Sequence, residues 1–108
     1  MDYQRKHPRF ALDTPAEIII LGGNEGPIRG RVADVSESGL KLAIPFPVAI
    51  GETLRVEISD EVFVGVVRNS ERGKGRNKTE TVAGLELVHG IQRGKLQDLL
   101  DEWSVQSF

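Results

Sequence analysis

Cysteine is absent from all 108 residues, which excludes disulfides and every thiolate-based metal site. Histidine is scarce: His7 and His89 stand far apart, with no clustered carboxylates beside either, so no metal centre is expected. Aromatic residues make up 6% of the chain and the formal charge is −2. A binder of single-stranded nucleic acid needs exposed aromatic platforms along a basic groove, so neither DNA nor RNA is an expected partner. Long apolar runs are missing as well. Ala16 to Leu21 is far too short for a signal peptide or a membrane span. A cytoplasmic protein without membrane insertion is the expectation. No catalytic constellation stands out either: Ser36 lacks a partner base and an oxyanion elbow, and "GKGRNK" (Gly73 to Lys78) lacks both the GK[ST] ending and the following helix of a phosphate loop. The chain is not expected to be an enzyme.

What remains is an ordinary globular composition, 39% hydrophobic and 28% charged, with 12 glycines that imply many turns. The length suits a single domain with one modest core. In "TLRVEIS" (Thr53 to Ser59), Leu54, Val56 and Ile58 alternate with polar residues, the period of a half-buried strand. "GLKLAI" does the same with Leu40, Leu42 and Ile44. "VFVGVV" (Val62 to Val67) is apolar on both faces, and Gly65 within it points to a bulge or close packing. Further strands are expected at Ala16 to Leu21, Ile28 to Val35 and Thr81 to Val88, divided by the short turns "GGNEGP", "SESG" and "SDE". "ERGKGRNKTE" reads as a longer, mobile, basic hairpin loop.

The C-terminal stretch changes period. Leu96, Leu99, Leu100 and Trp103 recur at i, i+3, i+4 and i+7, predicting an amphipathic helix at about 91–103 that covers the barrel. The fold class is therefore all-β: a small six-stranded antiparallel β-barrel with a C-terminal α-helix. Residues 12–108 form the single barrel domain, preceded by a mobile N-terminal arm, residues 1–11.

Two segments carry the functional argument. The arm contains "RKHPR", in which Arg5 and Arg9 lie four apart around a proline that prevents an easy helix. By itself such a segment is a solvated basic terminus. Its guanidinium forks can also grip phosphate, hold the O6/N7 edge of guanine, or stack on a purine. The second segment, "DVSESG" (Asp34 to Gly39), reads first as a hairpin turn: Asp and Ser side chains bond nearby backbone N–H groups and Gly39 takes positive φ. Its other reading is a polar cradle built from a carboxylate, a hydroxyl and bare backbone.

An RxxxR arm followed, about 25 residues on, by DxSxxG at a strand end in a small all-β domain resembles the PilZ family. "GVVRNS" and "AGLELV" look like that family's late strand pair, with Gly84 at a recurrent glycine. Leu87 stands where many relatives carry phenylalanine, a change expected to affect packing more than binding. The resemblance implies a receptor for cyclic di-GMP, a bacterial second messenger, whose arm is mobile when free and folds over the ligand. It implies ligand binding by Arg5, Arg9, Asp34, Ser36 and Gly39. Auxiliary candidates are Lys6, Gly84 and, from the basic loop, Arg76 as a phosphate contact. Asp34 would accept from guanine N–H groups, Ser36 would donate to phosphate or base, and Gly39 would let the ligand approach the backbone. A downstream protein partner is implied too. The alternative is a PilZ-fold interaction adaptor that binds no nucleotide; loss of motif residues would mark it, and all five are present here.

Overall fold

The computed structural model describes residues 7–24, 26–74, 76 and 78–106, the side chains of 104–106 left aside. Six strands precede one helix: β1 (Phe10–Ile20), β2 (Ile28–Val35), β3 (Gly39–Ile44), β4 (Thr53–Ile58), β5 (Glu61–Arg72), β6 (Thr81–Leu87) and α1 (Arg93–Gln106). The strands close into a barrel in the order β1-β2-β3-β6-β5-β4, antiparallel throughout. This is the expected fold class.

Alternation decides what lies inside. Leu54, Val56 and Ile58 of β4 are fully buried, as are Leu40, Leu42 and Ile44 of β3, while their polar neighbours face outward. β5 is apolar on both faces, and only one of those faces can point into a barrel. Phe63, Gly65 and Val67 point inward; Val62, Val64 and Val66 lie on the outer face, with Val62 47% exposed. Gly65 answers to close packing and not to a bulge, since a Cβ there would meet Leu85 Cγ at 2.6 Å. Leu87 is buried, in keeping with a packing role.

Helix α1 lies against β1 and sends Leu96, Leu99 and Trp103 into the core, with Leu100 half-buried beside them. Trp103 meets Phe63 edge to face, with centroids 6.1 Å apart and planes at 78°. The helix starts later than expected and runs further, Arg93–Gln106 in place of 91–103. Ile91 belongs instead to the β6–α1 connection, buried, its N–H donating to the Glu37 carbonyl at 2.7 Å.

Two strand limits also differ. β1 begins at Phe10, six residues before Ala16, so Phe10 and Ala11 belong to the barrel and not to the arm. β5 continues to Arg72, well past Val67. The reasons are physical: the polar Thr14 and Pro15 interrupt the apolar run ahead of Ala16, and the rest of each extension lies at or beyond a β-bulge, where strict alternation fails. β1 sets Leu12 and Asp13 against the single residue Ala33 of β2; β2 carries Ala33 as an extra residue against β3; β5 carries Arg68 as an extra residue against β6.

Candidate functional site

The three bulges lie at one level of the barrel and turn polar groups outward there. In β2, Val32 points inward, and unbroken alternation would send residue 34 the same way. The extra Ala33 resets the pattern, so Asp34 faces out while Val35 returns to the core. At this level Ala11, Asp34, Lys41, Gly84 and Asn69 stand opposite one another in sequence across β1, β2, β3, β6 and β5. They form a belt on the outer surface.

Arg9, just ahead of β1, reaches this belt. Its Nη1 donates to Asp34 Oδ1 at 2.7 Å, and Lys41 Nζ lies 3.5 Å from the other carboxylate oxygen. Asp34 thus shares its charge between one cation from the arm and one from the barrel wall. Its side chain is 14% exposed, so the carboxylate sits partly desolvated, where such pairing is stronger than in open water.

The turn that follows is built by Ser36. Its hydroxyl oxygen accepts from the N–H groups of Ser38 (3.2 Å) and Gly39 (3.1 Å), while Ser36 N–H donates to the Gly39 carbonyl at 2.9 Å. Ser36 is 3% exposed, so its direct work is to hold the turn. Gly39 does not take positive φ; among the described residues only Gly22, Gly51, Gly73 and Ser59 do. Its lack of a side chain answers to crowding, because a Cβ there would lie 2.8 Å from the Leu85 carbonyl oxygen. Asp34 likewise departs from the simple turn pattern and spends its oxygens on Arg9 and Lys41.

Gly84 has a comparable cause. Its N–H donates to Asn69 Oδ1 at 3.1 Å, and the Asn69 amide lies where a Cβ on residue 84 would be, within 2.7 Å. Glu37, in the middle of the turn, ties three parts together. Its carboxylate accepts from Arg93 Nε at 3.3 Å and lies 3.9 Å from His7 Nε2, and its carbonyl receives the Ile91 N–H. Arm, turn and helix meet on one residue.

Arg5 and Lys6 lie outside the described residues. Arg76 joins a different group: its guanidinium pairs with Asp13, its N–H donates to Glu80 Oε1 at 2.7 Å, and Arg31 Nη2 bonds the same oxygen at 3.1 Å. Arg76 and Glu80 of the basic loop are thus tied to Asp13 of β1 and Arg31 of β2. The Arg76 backbone N–H first, then the Arg31 guanidinium, holds the Glu80 carboxyl below its usual value of 4.5, against the opposing effect of burial. A depressed carboxyl stabilises the fold above its ordinary pKa, and that contribution is lost as pH falls through the lower folded value. Glu80→Gln should accordingly lower the thermal midpoint at neutral pH, with the gap to wild type closing as the solution is acidified below 4.5. A gap independent of pH would contradict this assignment.

The belt adds Lys41 and Asn69, and the turn adds Glu37, to the residues legible beforehand. Lys41 reads in the sequence only as the outward residue of an alternating strand. Gly84 was the available signal for Asn69, since a strand glycine often marks the close approach of a neighbour. Among the described residues no three His, Asp or Glu side chains gather as a metal site, and no helix is long and apolar enough to cross a membrane.

No curated protein matches this sequence. The solved structure of the Bacillus subtilis inhibitor of motility, MotI/DgrA, has a similar fold, with a TM-score of 0.65 at 20% identity. The likeness covers 97% of this chain and 51% of that one, so this chain spans about half the length of that protein. The PilZ domain family matches residues 3–102. That match embraces the arm, the turn, the whole barrel and most of the helix, and the chain belongs to the PilZ domain family.

Proposed function

We propose that this chain is a non-catalytic, cytoplasmic receptor for cyclic di-GMP that hands its signal to a protein partner. The observation that carries this reading is the meeting of Arg9 and Asp34, 25 residues apart in sequence and 2.7 Å apart in space, on an outward-facing belt. A carboxylate that only accepts and a guanidinium that only donates match the two edges of guanine: N–H groups on one, O6 and N7 on the other. The phosphates of the ligand supply the anions that the arm cations need. Arg5 and Arg9 close over the nucleotide from the arm, Asp34 reads a base, Ser36 and Gly39 keep the turn in shape, and Gly84 keeps the wall low. Ordering the arm costs conformational entropy, which holds the affinity to a moderate level.

The signal has a route outward. A groove of about 350 Å³ lies between the arm (Pro8) with the start of β1 (Phe10) on one side and helix α1 (Leu96, Gln97, Leu100) on the other, bordered by Glu37 and Arg93. Movement of the arm over a ligand reshapes that groove, and with it the surface offered to a partner. The same groove favours the second reading, an adaptor that binds protein and no nucleotide.

Calorimetric titration with cyclic di-GMP separates the two readings. The receptor gives a saturable heat and a defined number of bound nucleotides. No heat and no spectral change at high micromolar ligand would leave the adaptor.

A further inference from the structure

We propose that Lys41 is a ligand-binding residue of this site, supplying from the rigid barrel wall a phosphate-binding cation to complement those of the arm. The inference rests on the cyclic di-GMP reading and assigns a role to a residue outside the two sequence motifs.

Lys41 occupies the centre of the belt. β3 is paired on both sides, with Asp34 opposite Lys41 on β2 and Gly84 opposite it on β6, so its backbone is fixed before any ligand arrives. Its ammonium group is loosely held. At 3.5 Å from Asp34 Oδ2, the contact is longer than the range of a strong hydrogen bond, and the side chain is 45% exposed. An ammonium has three donors, and Asp34 engages at most one of them.

Charge balance points the same way. Arg9 and Lys41 bring two positive charges to one carboxylate, leaving an excess of one. A guanine edge that donates its N–H groups to Asp34 is neutral. It uses the carboxylate's lone pairs but supplies no counter-charge, so Lys41 loses part of its partner at the moment of binding. A phosphate oxygen restores that partner. Binding then proceeds as an exchange of ion pairs, in which Asp34 turns from the two cations to the base and the cations turn to the ligand's phosphates. Gly84 favours this geometry, because next to Lys41 it raises no side chain, and the Asn69 amide takes the place where its Cβ would be.

The test uses the full chain and cyclic di-GMP, comparing wild type with Lys41→Met and Lys41→Arg by calorimetry, with the phosphorus resonances of the bound ligand as a second readout. Lys41→Met should weaken binding about ten-fold or more, the scale of one hydrogen bond to a charged group. It should shift a bound phosphorus resonance and leave the thermal midpoint unchanged. Lys41→Arg should restore most of the affinity, and the difference between wild type and Lys41→Met should shrink at high salt. Wild-type affinity and unshifted phosphorus signals in Lys41→Met would overturn the assignment while leaving the receptor reading intact. Equal losses in both variants with a lowered thermal midpoint would reduce Lys41 to a structural role and overturn it as well. A wild-type chain that binds no cyclic di-GMP at all would overturn the receptor reading and this one with it.

Discussion

Replacing Arg9 with alanine should abolish cyclic di-GMP binding while leaving the barrel folded. The two halves of this result have separate causes. In the free protein Arg9 contributes one ion pair to Asp34 at the surface, with its own side chain 31% exposed, and such pairs are worth about 0–1 kcal/mol. Asp34 also keeps Lys41 as a neighbour, so its charge is not stranded. The unfolding midpoint should therefore hardly move. With ligand present, the same guanidinium is a planar fork acting on phosphate or base, and one bidentate contact is worth about 1–3 kcal/mol. Removing it also removes the anchor that fastens the arm, so a loss of about a hundred-fold or more is expected. Arg9→Lys should recover little, since an ammonium keeps the charge and loses the fork. The measurement is calorimetric titration beside a urea melt. An Arg9→Ala variant with wild-type affinity would sink the site, whatever the family.

The largest stability effect should come from Trp103→Ala. Trp103 is wholly buried, near the C-terminal end of α1, and stands edge to face with Phe63 of β5. It joins the helix to the barrel interior. Cutting a buried tryptophan to alanine typically costs about 3–5 kcal/mol, a large share of the ~5–15 kcal/mol that keeps a domain folded. Leu96 and Leu99 share the same seat, so the loosened helix also weakens their burial. Trp103 is the only tryptophan in the chain, so wild-type fluorescence reports directly on this seat. Emission should be that of a buried indole and should change together with the loss of β-structure on urea unfolding. A cost below about 1 kcal/mol in Trp103→Ala would mean that α1 is not an integral part of the core.

Most of the strand content could be read from alternation, because Leu54, Val56 and Ile58, or Leu40, Leu42 and Ile44, leave little choice of inner face, while the barrel was suggested by six short strands with hairpin-length turns. Helix α1 was legible for the same reason, from Leu96, Leu99, Leu100 and Trp103. The limits of β1 and β5 were not. Beyond Leu12–Asp13 and Arg68 the bulges break the two-residue period that identifies a strand, and the residues past them are exposed or polar on both faces. The same bulges hide the site. Asp34 was recognisable as part of a motif, but its outward aim comes from Ala33, and its pairing with Lys41 comes from register across β2 and β3. Gly84 signals a close neighbour, but that the neighbour is Asn69 follows only from the register of β5 and β6, two strands joined by a long hairpin. Local spacing names the candidates; only the register of the closed sheet decides which of them become neighbours.

A closed barrel has one more consequence, for the kind of partner this protein can have. Many regulatory modules recruit a target by letting it join the rim of an open sheet through main-chain hydrogen bonds, a contact nearly indifferent to sequence. Here every strand has a neighbour on both sides over part of its length, and the longest stretches paired on one side only are the first half of β1 and the second half of β5, so that mode has little rim to use. That leaves most of the surface to recognition through side chains projecting from the wall, through the arm, or through the exposed face of α1. Such contacts discriminate between partners, and under the proposed function bound nucleotide would rearrange them without disturbing the sheet beneath.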